Sequence, residues 1–214
     1  DSLRDITLVS LLAISPLVLV VPVSSPIKSM QDLIAAARAK PGSIGFGTAG
    51  NGTPHHLAGE TLNQMFGIKL THVPYKGSGP AAIDVVAGQV PAAIIDVTSV
   101  IQQVRSGRAR ALATLGDKRT AVAAEVPSMA ETGVPNFDIA GWFVMGVPAA
   151  TPRDIVARLN QEVVRILSLA EIREKFIASG IEARSSSLEE TAAFARDQVE
   201  KWGRRFRASG AKLE

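Results

Sequence analysis

The chain has 214 residues, 46% apolar and 20% charged, with 23 Lys and Arg against 20 Asp and Glu and no cysteine. That composition fills one large domain or two small lobes around a real core and excludes a disordered segment. Without thiols there is no disulfide framework, no thiol catalysis and no cysteine-held zinc, while the compartment stays open.

The first long feature is "ITLVSLLAISPLVLVVPVSSPI", Ile6 to Ile27, which carries no charge. A signal peptide or membrane span needs one uninterrupted apolar helix, and Pro16 and Pro22 interrupt this run. Its flank holds Asp1 and Asp5 beside Arg4 instead of a basic leader. Its β-branched residues and leucines read as two buried strands, Ile6–Ala13 and Leu17–Val23.

Ser29, with Asp32 three residues on, opens a helix that Pro41-Gly42 stops. A strand over Ile44–Gly47 leads into "GFGTAGNGTPHH", where Thr53 is the expected N-cap and Pro54 the first residue of a helix to about Met65. Lys69–Val73 reads as a strand ending in "VPYKGSGP", followed by a helix from Ala81 to about Ala87. The strand Ala92–Ile95 ends at Asp96, Thr98–Arg105 is helical, and Ala109–Leu115 is a further strand. Strands alternating with helices over short connections predict α/β units around a largely parallel sheet.

Near Asp117 the texture changes to turns and one apolar strand around Trp142–Val147. Thr151-Pro152-x-Asp154 then starts a helix with an apolar stripe of Val156, Leu159, Val163 and Ile166. A second helix runs from about Ala170 to Ala178, Ile181–Ala183 is a short strand, and Ser187-x-x-Glu190 is a capping box for the last helix. Ala195, Val199, Trp202 and Phe206 share one face of that helix. Its basic residues (Arg196, Lys201, Arg204, Arg205, Arg207, with Lys212 beyond) have no interleaved aromatics. They read as a solvated face, with no nucleic-acid partner.

The glycine loop admits three chemistries. Gly45, Gly47 and Gly50 match a dinucleotide fingerprint, but Gly45 and Gly47 fall within the strand and no acid ends the next strand. A phosphate loop fails because Asn51 stands where its lysine belongs. A metal fails because neighbouring helical residues point about 100° apart, so His55 and His56 cannot share one ion. What remains is a helix N-terminus fronted by glycine amides and the Thr48 and Thr53 hydroxyls, suited to a singly charged carboxylate. Carboxyl ends of parallel strands share one edge, which would bring Tyr75, Lys76 and Asp96 to the same cleft. Asp96 alone is as well suited to capping the helix behind it. No serine, histidine and acid occupy a nucleophile-elbow context and no carboxylates pair, so binding is favoured over turnover, without metal or cofactor.

"GTAGNGTPHHLAGE", "VPYKGSGPAAIDVVAGQV" and their spacing resemble the tripartite tricarboxylate transporter substrate-binding family, the Bug proteins. "PLVLVVPVSSPIKSMQDLIAAARAKPG" and "VPSMAETGVPNFDIAGWFVMGVPAATPRDIVARLN" extend the resemblance over essentially the whole chain. It implies an α/β, periplasmic-binding-protein-like fold of two lobes and a bacterial periplasmic receptor. The ligand would be a small carboxylate (di- or tricarboxylate, acidic amino acid or aromatic acid), passed to membrane permease subunits. Carried over residue by residue, Thr48, Ala49, Gly50, Asn51, Gly52 and Thr53 match the family's second-lobe loop. His55, Tyr75, Lys76 and Asp96 match further pocket positions, with Asp96 where members of different ligand often differ.

Against the family pattern the chain starts after the secretion signal and the first-lobe loop P-x-G-G-x-x-D. The expectation is therefore a remnant of lobe one at 1–16, a complete lobe two at 17–115, and at 116–214 the return connection and helical part of lobe one. Such a chain would hold half a pocket, bind ligand weakly or not at all, and self-associate through exposed apolar edges and helix faces. The alternatives from other classes are a sensor that reuses the fold without transport and an α/β enzyme acting on an organic acid.

Overall fold

A computed structural model describes the backbone of residues 2–209 and the side chains of 4–204 and Arg207. The chain groups into two compact units, a sheet unit of Pro16–Gly141 and a helical unit of the residues up to Ser15 with Trp142–Arg204. After one turn, α1 (Ser2–Asp5), the strand β1 (Ile6–Pro22) contributes to both. The sequence reading divided this run at Pro16, and the structure does not. Ala13 and Ile14 pair with β7 (Glu182–Ala183), and Leu17–Val20 pair with β4 (Ala92–Asp96). Pro16 falls between the two ladders, where its missing N–H leaves no bond unmade.

The sheet unit contains β2 (Ile44–Thr48), β3 (Leu70–Pro74) and β5 (Ala109–Thr114) besides β4 and the second half of β1, in the order β3-β2-β4-β1-β5. β2 is parallel to β3 and β4, whereas β1 is antiparallel to β4 and β5. The sheet is thus mixed, with β1 inserted against four strands that run one way. Leu17 pairs with Asp96, so β1 enters at the edge where those four strands end.

Side chains alternate across a strand, and both faces of β1 are covered. Leu17, Leu19 and Val21 pack with Met30, Leu33 and Ala37 of α2 (Met30–Ala39) and Ala58 and Leu62 of α3 (Pro54–Phe66). Val18 and Val20 pack on the other side with Ala81, Ala82 and Val85 of α4 (Ser78–Val86) and Ile101 of α5 (Ile101–Arg105). Two covered faces explain why the run carries no alternation of polar residues. The sequence reading ended this lobe at Leu115, but residues 116–141 stay with the sheet unit. Val122 and Val126 enter one of its cores, and Met129, Phe137 and Ile139 the other.

The helical unit adds β6 (Ala140–Pro148), which pairs with β1, and α6 (Arg153–Ser168), α7 (Ala170–Ala178) and α8 (Leu188–Ser209). α6 starts one residue later than Thr151-Pro152 implied, with Pro152 as its N-cap and no side-chain cap bond. Val156 of its expected stripe is buried, while Ile166 is 40% exposed and Leu167 is buried in its place. Both arms of the capping box form, Ser187 N–H to Glu190 Oε2 at 2.8 Å and Glu190 N–H to Ser187 Oγ at 3.1 Å. On α8 Ala195 is buried and Val199 is 56% exposed, while the Phe206 side chain lies outside the described residues. Lys201 and Arg204 pair with Asp197 and Glu200 one turn back, as a solvated face does; Lys212 lies outside the described residues. Buried Ser10 ties β1 to the start of α8: its Oγ accepts from Ser186 N–H at 3.1 Å, and Ser186 Oγ accepts from Leu11 N–H at 3.0 Å. Among the described residues no helix is long and apolar enough to cross a membrane.

One close approach sets how α3 lies on the sheet. A Cβ at Gly59 would stand 2.1 Å from Cε2 of Phe46, whose ring is 1% exposed. Alanine is worth about 1 kcal/mol over glycine in a helix, but overpacking a buried ring outweighs that. Gly59→Ala is expected to destabilise by about 2 kcal/mol, lowering the melting temperature by roughly 5 °C. Phe46→Leu added to it should restore part of the loss; a melting temperature unchanged or raised in Gly59→Ala would refute this packing account.

Candidate functional site

The ends of β2, β3 and β4 are pinned to one another by backbone and side-chain bonds. Tyr75 N–H donates to Thr48 C=O and Gly77 N–H to Ala49 C=O, both at 3.0 Å, which ties the loop after β3 to the glycine loop after β2. This contact needs two glycines. A Cβ at Gly47 would meet the Tyr75 ring at 3.1 Å, and one at Gly50 (φ 135°) would meet the Tyr75 carbonyl at the same distance. The loop's glycines therefore serve the approach of its neighbour as well as its own turn.

Thr53 caps α3, its Oγ1 accepting from His56 N–H at 3.4 Å and donating to Gly50 C=O at 2.7 Å. Gly50 N–H donates to Thr48 Oγ1 at 3.2 Å, and Gly52 N–H donates to His56 Nδ1 at 3.3 Å. Both glycine amides are thus turned into the protein, and Asn51 between them is exposed.

The two helix-start histidines diverge, as adjacent helical positions must. His56 stacks on His72 of β3, ring centroids 3.8 Å apart and planes 6° from parallel. His72 Nε2 lies 2.6 Å from Thr48 Oγ1. Burial pushes His72 down to about 4, with neighbouring His56 adding to the shift, and burial holds His56 below the ordinary imidazole range against the pull of Glu60. Both rings are neutral at neutral pH.

His55 turns the other way, toward Asp96 at the end of β4. Ser78 Oγ donates to Asp96 Oδ2 at 2.6 Å, and His55 Nε2 lies 3.3 Å from that same oxygen. Ser78 Oγ also accepts from Asp96 N–H at 3.3 Å. Asp96 precedes the 3₁₀ turn Val97–Ser99 but makes no side-chain cap bond to it. Serine, histidine and acid meet here without forming a nucleophile relay, in which histidine stands between the other two. His55 and Ser78 converge on one carboxylate oxygen, and His55 Nδ1 is buried with no partner among the described residues. The arrangement holds the Asp96 carboxylate, and Ser78 Oγ also lies 3.4 Å from the same His55 Nε2.

Ser78 is the residue that sequence reasoning missed. The helix it opens starts three residues before the expected Ala81, because Gly77 (φ 108°) supplies the turn and Pro80 is tolerated in a first turn. Tyr75 OH donates to Asp84 Oδ2 of α4 at 2.8 Å, so its hydroxyl is occupied within the protein. Lys76 is exposed and Asp96 is half-buried. In α3 Pro54 has no N–H and His56 N–H is capped by Thr53, which leaves the His55 amide of its first turn at this edge; α4 starts without a side-chain cap bond. Among the described residues no cluster of histidine and acid groups suits a metal. A separate cavity of about 800 Å³ lies within the helical unit and shares no residue with this edge.

Comparison with known proteins gives a consistent result. The family described as the tripartite tricarboxylate transporter family receptor matches residues 1–210. Protein BugT of Bordetella pertussis is 35% identical over 99% of this chain, which spans 65% of BugT's length. Among solved structures, R. palustris Rpa4515 with adipate superposes with a TM-score of 0.91 at 32% identity, over 100% of this chain and 72% of that one. MatC from Rhodopseudomonas palustris with bound malate superposes with a TM-score of 0.82 at 25% identity, over 94% of this chain and 69% of that one.

Tyr75 gives the site a direct spectroscopic handle, since it is the chain's single tyrosine. Its phenol is pushed up to about 12 by burial first, then by the bond to Asp84 and the charge of that carboxylate. The folded state therefore keeps a proton that the unfolded state releases near 10, and stability falls as pH rises from 10 through 12. Ultraviolet titration of phenolate absorbance should give a midpoint near 12, and Asp84→Asn should bring it part of the way back. A midpoint at the ordinary tyrosine value in the folded protein would show the Tyr75–Asp84 bond to be absent.

Proposed function

The chain belongs to the tripartite tricarboxylate transporter receptor family, and from that premise we propose that it is a periplasmic solute receptor, not an enzyme, that captures a small organic acid. The observation that carries the reading is the pinned edge of the sheet unit. Three strand-end loops are tied together there, two helix N-termini open onto it, and an exposed lysine stands beside them. The positive helix ends suit one carboxylate, the inward-turned glycine amides shape the loop around it, and Lys76 supplies the formal charge.

The roles divide by where each side chain is engaged. Thr48, Ala49, Gly50, Gly52, His55 and Tyr75 hold the cradle's shape through bonds to one another and to Asp96, Ser78 and Asp84. Asn51 and Lys76 face the ligand's carboxylate, while Thr53, its hydroxyl engaged by Gly50 C=O and His56 N–H, holds the loop with the others. Asp96, held by Ser78 and His55, accepts from a hydroxyl, amine or protonated acid at the ligand's far end. A carboxylate at that position disfavours a second ligand anion in direct contact, so a second acid group is met through water or lies beyond Asp96. Related proteins solved with adipate and with malate make dicarboxylates the first class to try. The captured acid would be handed to the membrane permease of a tripartite tricarboxylate-type transporter.

Titration calorimetry of this chain against adipate, malate, glutamate and benzoate tests the proposal. Saturable binding of at least one acid is expected, with Lys76→Met weakening it about tenfold, the loss of one charge-assisted contact at about 1.4 kcal/mol. Asp96→Asn should leave simple monocarboxylates unchanged and alter the order of preference among hydroxy and amino acids. Binding that survives Lys76→Met and Asn51→Ala undiminished would place the ligand elsewhere and refute the site.

A further inference from the structure

We propose that the stacked pair His56–His72 is the positioning device of the glycine loop. The loop keeps its capture-ready shape only while both rings are neutral, so that acid releases it. This deepens the carboxylate reading above and rests on it for its functional consequence.

Each ring governs one amide of the loop. His56 Nδ1 accepts the Gly52 N–H, which places that ring's proton on Nε2, facing Glu60 Oε1 at 3.9 Å. His72 Nε2 holds Thr48 Oγ1 at 2.6 Å, and the same oxygen accepts the Gly50 N–H. The stack couples the two, because the rings lie face to face at 3.8 Å. Between the two anchored glycines stands Asn51, the exposed residue offered to a ligand.

A proton added to His56 Nδ1 would set one N–H against another, and the Gly52 amide would have to turn away. A second proton, on His72, would place two cations in a stack with little solvent between them. Glu60 of α3 is the carboxylate beside the pair and favours the charged form. β2 presents Phe46, whose ring lies 5.3 Å from His72, and Thr48, neither of which carries charge. His55, next along α3, is directed to Asp96 and Ser78. Burial outweighs Glu60 at His56 and, with His56 beside it, lowers His72, so the anchored form prevails at neutral pH and is lost as pH falls below the ordinary imidazole range toward 4.

The test is a pH titration of the ligand-free chain by ¹⁵N-edited NMR, following the amides of Gly50 and Gly52 and the ring nitrogens of His56 and His72. The Gly52 amide is expected to move with the His56 ring and the Gly50 amide with the His72 ring, both steps below 6.5. The double variant His56→Gln, His72→Phe keeps an acceptor for Gly52 and a flat ring in the stack, and should flatten the amide titration. Perfluoroadipate, a dicarboxylate that stays ionised throughout, serves as the binding probe by ¹⁹F NMR. It should bind about threefold or more weakly at pH 4 than at pH 7 in the wild-type chain, and the double variant should remove most of that loss. Amides that do not follow the rings in the wild-type chain overturn the proposal, whether or not the variant folds. So does probe affinity that is independent of pH while the amides titrate. A probe that binds at no pH, with amides that do follow the rings, supports the positioning role and counts against the carboxylate reading instead.

Discussion

The sheet unit depends on a strand inserted against its neighbours. β1 lies antiparallel between β4 and β5, with helices over both of its faces, so nearly every residue from Leu17 to Val21 must be apolar. That requirement produces the longest uncharged run in the sequence. It also orients the remaining strands: with β1 opposed to them, β2 to β5 all end at the edge where β1 begins. The candidate site exists because three of those strand ends, of β2, β3 and β4, are tied together there.

Gathering the ends is not sufficient; the loops must also be held. The hold is almost wholly hydrogen bonding between loops, from Thr48 and Ala49 carbonyls to Tyr75 and Gly77 amides, and from Asp96 to Ser78. Each net bond is worth only about 1 kcal/mol, but an unmade one costs more where the groups are buried, as at Thr48 and Ser78, so penalty helps to fix the arrangement as well as gain. The glycines earn their place by letting Tyr75 approach the loop, and the histidines by giving the inward amides acceptors. The site is thus built of groups that satisfy one another, with Asn51 and Lys76 left toward solvent.

Features set within a few residues were legible in the sequence. Ser29, Thr53 and Ser187 cap the helices they were expected to cap, since a cap is a bond between residues three apart. The α/β class and the family resemblance were legible for the same reason, being carried by contiguous motifs. Features set by pairing partners were not. Pro16 looked like a break because nothing local shows that its two sides serve different ladders. Asp96 read equally as a cap and as a ligand contact because Ser78 and His55 are 18 and 41 residues away. Residues 116–141 looked like a connection because their scattered apolar residues have no period until the sheet supplies the surface they cover.

By itself the sequence determined the element types, the capped helix starts, the presence of a glycine loop ahead of a helix and the family to which these belong. Propensity, capping and apolar patterning act over a handful of neighbouring residues and need no partner to be read. The tertiary structure decided which loop amides face inward, which histidine meets which acid, and that Tyr75 spends its hydroxyl on Asp84. Those outcomes depend on the direction of β1 and on distances between strand ends far apart in the chain, which take values only once the sheet has formed.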